Sequence, residues 1–313
     1  MTRLKVWLLA SRPATLTAVV SPLLVGGALA VADRKANLLA WLAAFFGALL
    51  IQLGTNYAND VFDFEKGADT AERVGPMRAV QAGLVTPRQM RVAMILAFGL
   101  ATLCGSYLVW LRGWPIVWIG VASILSGIAY TGGPFPLGYH GLGDIFVMLF
   151  FGFVATMGTY FVMTGTVSVA SALWSIPVGA TCTAILVVNN LRDMDTDAKV
   201  GKKTLAVRFG ATFVRVEYTL LLAVAYFSPI LVPLAVLRFW PHLWVDAGTH
   251  GQFMIPRFIA CALLSGFIVL TRTLWRTRDP AVLNPLLGKT ALYHLWYGLV
   301  ISAGLVLQSR LSH

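Results

Sequence analysis

Uninterrupted apolar stretches of about twenty residues recur along this chain, and they restrict its fold more than any motif does. A backbone inside hydrocarbon must satisfy its own N–H and C=O groups. For stretches of this length the solution is a helix. Nine are read: 14–32, 38–60, 90–111, 114–131, 143–166, 171–191, 214–237, 256–274 and 290–309. Only 12% of the residues are charged, about half of the roughly 25% found in soluble domains. The expectation is an all-α, polytopic membrane protein with about nine transmembrane helices, forming one transmembrane domain over residues 1–313. The first stretch follows Arg3, Lys5 and Arg12 and contains Ala28-Leu29-Ala30, as a secretory signal would. It is longer than a signal core and further spans follow at once, so it reads as an uncleaved helix.

The net charge of +11 would suggest nucleic acid in a soluble protein, but in a membrane protein it has a topological reading. With the N-terminus inside, 18 of the 24 Lys and Arg fall on the inner side. Arg34, Lys35, Arg112, Arg238, Arg257 and Arg310 fall outside. This bias places the N-terminus in the cytoplasm and the C-terminus across the membrane. Anionic lipid headgroups account for the surplus charge, and nucleic acid is not expected as a partner. Cys104, Cys182 and Cys261 all sit in apolar stretches without metal-ligand spacing, which predicts packing rather than disulfides or zinc.

The chain has 13 Asp and Glu, and eight of them crowd into two windows. Asp60, Asp63, Glu65, Asp69 and Glu72 lie between Thr55 and Gln81; Asp193, Asp195 and Asp197 lie between Val188 and Gly210. Four expected spans separate the windows, so both emerge on the cytoplasmic side and can face one another. Asn56 and Asp60, Asn59 and Asp63, and Asp193 and Asp197 are each four residues apart, and Asp60 and Asp63 are three apart. Each set shares a face if its helix continues. Oxygen donors without His or Cys suit a hard cation, and clustered carboxylates need one to relieve their repulsion. Magnesium fits, because it takes one or two carboxylates together with substrate phosphates. Lys66, Arg73, Arg78, Arg192, Lys199, Lys202 and Lys203 stand among or beside these acids and can hold phosphate oxygens. Acids for metal and bases for phosphate at a membrane face together suggest a lipid diphosphate. A third polar segment on the same side, Tyr130 to Gly141, is broken by Gly132-Gly133-Pro134. It reads either as the floor of a cavity or as a plain turn.

Asn59-Asp60-x-x-Asp63 followed by Asp193-x-x-x-Asp197 resembles the paired aspartate-rich motifs of the UbiA superfamily of intramembrane prenyltransferases. Segments 12–29, 59–81, 130–144, 189–210 and 283–299 resemble its menaquinone branch, the 1,4-dihydroxy-2-naphthoate polyprenyltransferases. The likeness covers nearly the whole chain. It departs from the broader first motif at Gly67, with Asp69 two residues later, which leaves the part played by Asp69 open. The resemblance implies a helical bundle around a central cavity, in a bacterial inner membrane, with the active site facing the cytoplasm. It implies Mg2+ held by Asp60, Asp63, Asp193 and Asp197 against the diphosphate of a polyprenyl diphosphate. Asn56, Asn59, Asn190, Lys66, Arg73, Arg192 and Lys202 would help to hold that substrate. Tyr130 would offer its ring to an allylic cation, and Arg78 would be a candidate for the acceptor carboxylate. The implied reaction prenylates 1,4-dihydroxy-2-naphthoate with decarboxylation, giving demethylmenaquinone. Two alternatives stay open: another aromatic acceptor such as 4-hydroxybenzoate or homogentisate, or a cation transporter using the acids as an ion path. Against the transporter, the acids lie at one membrane face and are interleaved with bases.

Overall fold

The computed structural model describes residues 2–68, 74–239 and 263–311. Asp69, Glu72, Arg73, Cys261 and the first part of the expected span 256–274 lie outside the described residues. Among those described there is no strand. The elements are α1 (Arg3–Ser11), α2 (Pro13–Ala32), α3 (Leu38–Glu65), α4 (Pro87–Arg112) and α5 (Trp114–Ala129). They continue with α6 (Gly143–Val147), a π-helical stretch (Met148–Val154), α7 (Ala155–Thr164), α8 (Val169–Lys199) and α9 (Leu205–Phe239). The last two are α10 (Leu264–Arg276) and α11 (Pro280–Leu311).

Seven of these segments are long and apolar enough to cross a membrane: α2, α3, α4, the joined stretch Gly143–Thr164, α8, α9 and α11. The apolar α5 is shorter, at 16 residues. The expected span 256–274 is described only where α10 represents it. The protein is thus an all-α, multi-span membrane protein. Two expected spans prove longer at their C-terminal ends: α3 runs on to Glu65 and α8 to Lys199, so the acids lie on helix rather than after it. The short α1 was not expected. It packs Val6 and Ala10 against Val61, Ala79 and Val80 of the α3 neighbourhood.

Local chemistry sets the helix ends. Thr86 and Gln89 cap each other's backbone amides ahead of α4, and Ser168 and Ser171 do the same for α8. Gly113, at φ 77°, lets the chain turn sharply from α4 into α5, a conformation costly for any residue with a Cβ. Pro22, Pro177 and Pro285 lie inside helices, where neighbouring helices tolerate the lost amide donor.

The helices form a ring. α2 packs on α11, α7 and α3; α3 on α4 and α5; α8 on α9, α11 and the π-helical stretch. Where α8 crosses that stretch, a Cβ on Gly179 would lie 2.9 Å from the Cα of Gly152. Two bare backbones thus touch, as close helix crossings in membranes require. At the end of the bundle away from the two aspartate windows, Val25, Leu29, Leu108, Ile116, Tyr160, Met163 and Trp174 form a buried apolar cluster.

Candidate active site

A cavity of about 730 Å³ runs inside the ring, within the roughly 300–1,000 Å³ of small-molecule sites. Its walls are apolar over most of their extent, with Val19 and Leu23 of α2, Val109 of α4, Ile119 and Ile124 of α5, and Phe146, Phe150 and Phe151. The π-helical stretch places Phe150, Phe151 and Val154 in that wall. Such π-helical stretches recur at functional sites.

One end is polar. Asn56, Asn59 and Asp63 enter it from α3, and Asn189, Asn190, Asp193 and Asp197 from α8. The turn after α3 adds Arg78; the connection after α5 adds Tyr130, Thr131 and Tyr139; the loop after α8 adds Lys202. Asp60, Lys66 and Arg192 stand behind this lining. The two aspartate windows therefore meet in space, although about 130 residues separate them in sequence.

Each acid has its charge answered. Asp63, 1% exposed, accepts from Arg78 at 3.1 Å and from the Tyr139 hydroxyl at 2.9 Å. The Lys202 ammonium lies 3.6 Å from Asp63 and 3.7 Å from Asp197, bridging the motifs. Arg192 grips Asp193 with Nε at 2.8 Å and Nη2 at 2.6 Å, a two-point pairing suited to a planar guanidinium. Arg192 also donates to Asn189 at 2.7 Å and Asn284 at 3.1 Å. Asp60 accepts from the backbone amides of Ala79 at 3.1 Å and Val80 at 3.3 Å, which pins the 74–86 turn onto α3.

The connection from Tyr130 to Gly141 lies beneath the polar end, as the floor reading expected. Lys66 donates to the carbonyls of Thr131 at 2.6 Å and Gly133 at 3.2 Å. The Thr131 hydroxyl donates to Asn59 at 2.9 Å. From the other side, the Lys203 amide donates to the Tyr139 carbonyl at 2.8 Å and Arg208 to the His140 carbonyl at 3.0 Å. The Tyr139 ring lies between two ammonium groups, 5.1 Å from Lys66 and 4.8 Å from Lys202. Burial pushes the Lys66 ammonium below its ordinary pKa; Asp63 opposes this and Lys202 reinforces it.

Sequence reasoning missed Arg12 and singled out no role for Tyr139. Arg12 joins α1 to α2 in the left-handed region, at φ 51° and ψ 70°, and lines the polar end. A non-glycine residue held there carries strain that its surroundings must offset. Beside it, Asn56 donates to the Ser11 carbonyl at 2.9 Å and to Thr15 at 3.0 Å, fastening α3 to the α1–α2 corner. The available signal was the Arg12-Pro13 pair opening an apolar helix.

Among the described residues no three of His, Cys, Asp and Glu are grouped to hold a metal ion. The donor chemistry fits a hard cation nonetheless. Asp63, Asp193, Asp197 and four asparagines bring carboxylate and amide oxygens, with no His or Cys, to one cavity, and a protein ammonium already bridges two of the carboxylates.

The UbiA prenyltransferase family profile matches residues 19–293. The chain is 32% identical over 313 residues to the 1,4-dihydroxy-2-naphthoate octaprenyltransferase of Haemophilus influenzae, covering 97% of each chain. It is 34% identical over 315 residues to the protein of the same name from Escherichia coli, covering 98% of this chain and 97% of that one. In three dimensions it is similar to a UbiA homolog from Archaeoglobus fulgidus bound to GPP and Mg2+, with a TM-score of 0.61 at 15% identity over 95% of this chain and 99% of that one. With paired aspartate helices meeting at one end of an intramembrane cavity, and with these likenesses spanning almost its whole length, the chain belongs to the UbiA prenyltransferase family.

Proposed function

We propose that this protein transfers a polyprenyl group from polyprenyl diphosphate to 1,4-dihydroxy-2-naphthoate, with loss of carbon dioxide. The observation that carries the reading is the meeting of Asp63, Asp193 and Asp197 with Arg78 and Lys202 at one end of an otherwise apolar cavity. That arrangement suits a substrate with a charged head and a hydrocarbon tail. The full-length likeness to relatives named for naphthoate prenylation supports the acceptor. The whole chain acts as one transmembrane domain, with its polar end toward the cytoplasm of a bacterial inner membrane.

The allylic C–O bond breaks and the diphosphate leaves with the electron pair. The ring carbon bearing the carboxylate forms the new C–C bond, and that carboxylate departs as carbon dioxide. Electron balance makes the immediate product the quinol form of demethylmenaquinone. Asp63, Asp193 and Asp197 would hold Mg2+, which would supply charge neutralisation to the leaving diphosphate, while Asp60, expected from the motif to join them, instead fixes the adjoining turn through the Ala79 and Val80 amides. Lys202, Lys66, Arg192 and Arg73 compensate phosphate charge, with Asn56, Asn59 and Asn190 as polar partners. Tyr130 lines the polar end of the cavity, and its ring would stabilise positive charge on the allyl group. Arg78 and Arg12 provide guanidinium groups for an acceptor carboxylate. The apolar wall keeps water from the cation.

The test is turnover by purified protein with Mg2+, a polyprenyl diphosphate and 1,4-dihydroxy-2-naphthoate, scoring prenylated product and released carbon dioxide, with 4-hydroxybenzoate in parallel. Product and carbon dioxide from the naphthoate alone are expected. Product from the benzoate alone would keep the diphosphate site and overturn the acceptor.

A further inference from the structure

Resting on the reading of the two motifs as a divalent-cation site, we infer that Lys202 is an internal counter-ion that holds the cation's place until a diphosphate arrives. Its ammonium lies 3.6 Å from Asp63 on α3 and 3.7 Å from Asp197 on α8. It thus contacts one carboxylate of each motif and occupies the space between them. Its side chain is 13% exposed and that of Asp63 is 2% exposed. Burial of this depth makes an unmatched carboxylate costly. The ammonium, together with Arg78 and the Tyr139 hydroxyl on Asp63, offsets that cost.

The anchoring of Lys202 suits a group that moves between two positions. It follows Gly201, whose φ of 75° marks a tight reversal after α8. Its own amide donates to the Asp197 carbonyl at 2.9 Å, so its backbone is fixed to the second motif while its long side chain crosses to the first. The Tyr139 ring, with its centroid 4.8 Å from the ammonium, provides a second favourable surface close to the carboxylates. A diphosphate entering the cavity attracts the ammonium away from the acids, and the vacated space accepts a divalent cation. Metal alone must instead displace the lysine without compensation. The consequence is positive coupling: the cation binds weakly to the empty enzyme and more tightly once an anion has drawn Lys202 aside.

The experiment measures Mn2+, a hard, EPR-visible divalent cation, binding to the full-length protein in lipid nanodiscs without diphosphate. Lys202→Met is expected to bind Mn2+ about tenfold more tightly than the parent, a coupling within the ordinary range. Lys202→Arg keeps the charge and is expected to bind as weakly as the parent. Arg88→Met removes an exposed positive charge from the same membrane face and is expected to change nothing. The gain is expected to vanish in Lys202→Met combined with Asp63→Asn. Equal Mn2+ affinity in Lys202→Met and the parent overturns the inference, provided that retained thermal unfolding cooperativity shows both are folded. So does an equal gain in Arg88→Met, or a gain that survives Asp63→Asn. If Lys202→Met does not fold, Lys202→Gln is measured by the same criteria. Failure of the proposed function is separate: the parent then gives no prenylated product, whatever its metal affinity.

Discussion

Tyr139 joins more of the site than any aspartate does. Its hydroxyl donates to Asp63, its ring meets the ammonium groups of Lys66 and Lys202, and its carbonyl takes the Lys203 amide. Tyr139→Phe keeps the ring and removes one hydrogen bond to a buried carboxylate. The expected outcome is a five- to tenfold fall in kcat/KM, equivalent to about 1–1.4 kcal/mol. Tyr139→Leu removes the π-face as well and is expected to fall further; steady-state kinetics with both variants checks the order. None of these contacts was legible from spacing, because Tyr139 lies 76 residues from Asp63. The aspartates were legible because an acid on an apolar helix stands out whatever the fold. Their partners were not: Arg78 comes from a turn, Lys202 from a loop, and Asp60 is answered by two backbone amides that carry no sequence signature.

At the scale of elements, two helices carry the chemistry and the others hold them in register. Apolar length announced α2, α3, α4, α8, α9 and α11, because hydrocarbon leaves a long uncharged segment no alternative to helix. It did not announce α1, whose mixture of charged and apolar residues has no strong period, nor the π-helical stretch, which keeps the composition of the helix around it. α8 crosses that stretch at the bare pair Gly152 and Gly179. A Cβ at Gly179 would also lie 2.6 Å from the Met148 sulfur. Gly179→Val is therefore expected to cost about 1–3 kcal/mol, as overpacking does, seen as a lower unfolding temperature in detergent. Gly120→Ala, where a Cβ meets nothing within 4 Å, is expected to be silent in the same assay. Equal behaviour of the two would remove the packing argument.

For the whole molecule, the charge asymmetry predicts a sidedness that single cysteines can report. In a background without native cysteines, Arg88→Cys is expected to react with an impermeant maleimide only from the cytoplasmic side, and Lys35→Cys only from the other. The reverse pattern would invert the orientation while leaving the site intact. The apolar cluster of Leu29, Leu108, Ile116, Tyr160, Met163 and Trp174 lies at the end of the bundle away from the paired aspartate motifs. A cavity of this size would be a hazard in an energised membrane if it joined two aqueous phases. Leu108 and Ile116 of that cluster also line the cavity, so its far end meets packed apolar side chains. Packed hydrocarbon is costly for a hydrated ion to cross, so that end opposes the passage of ions toward the carboxylates.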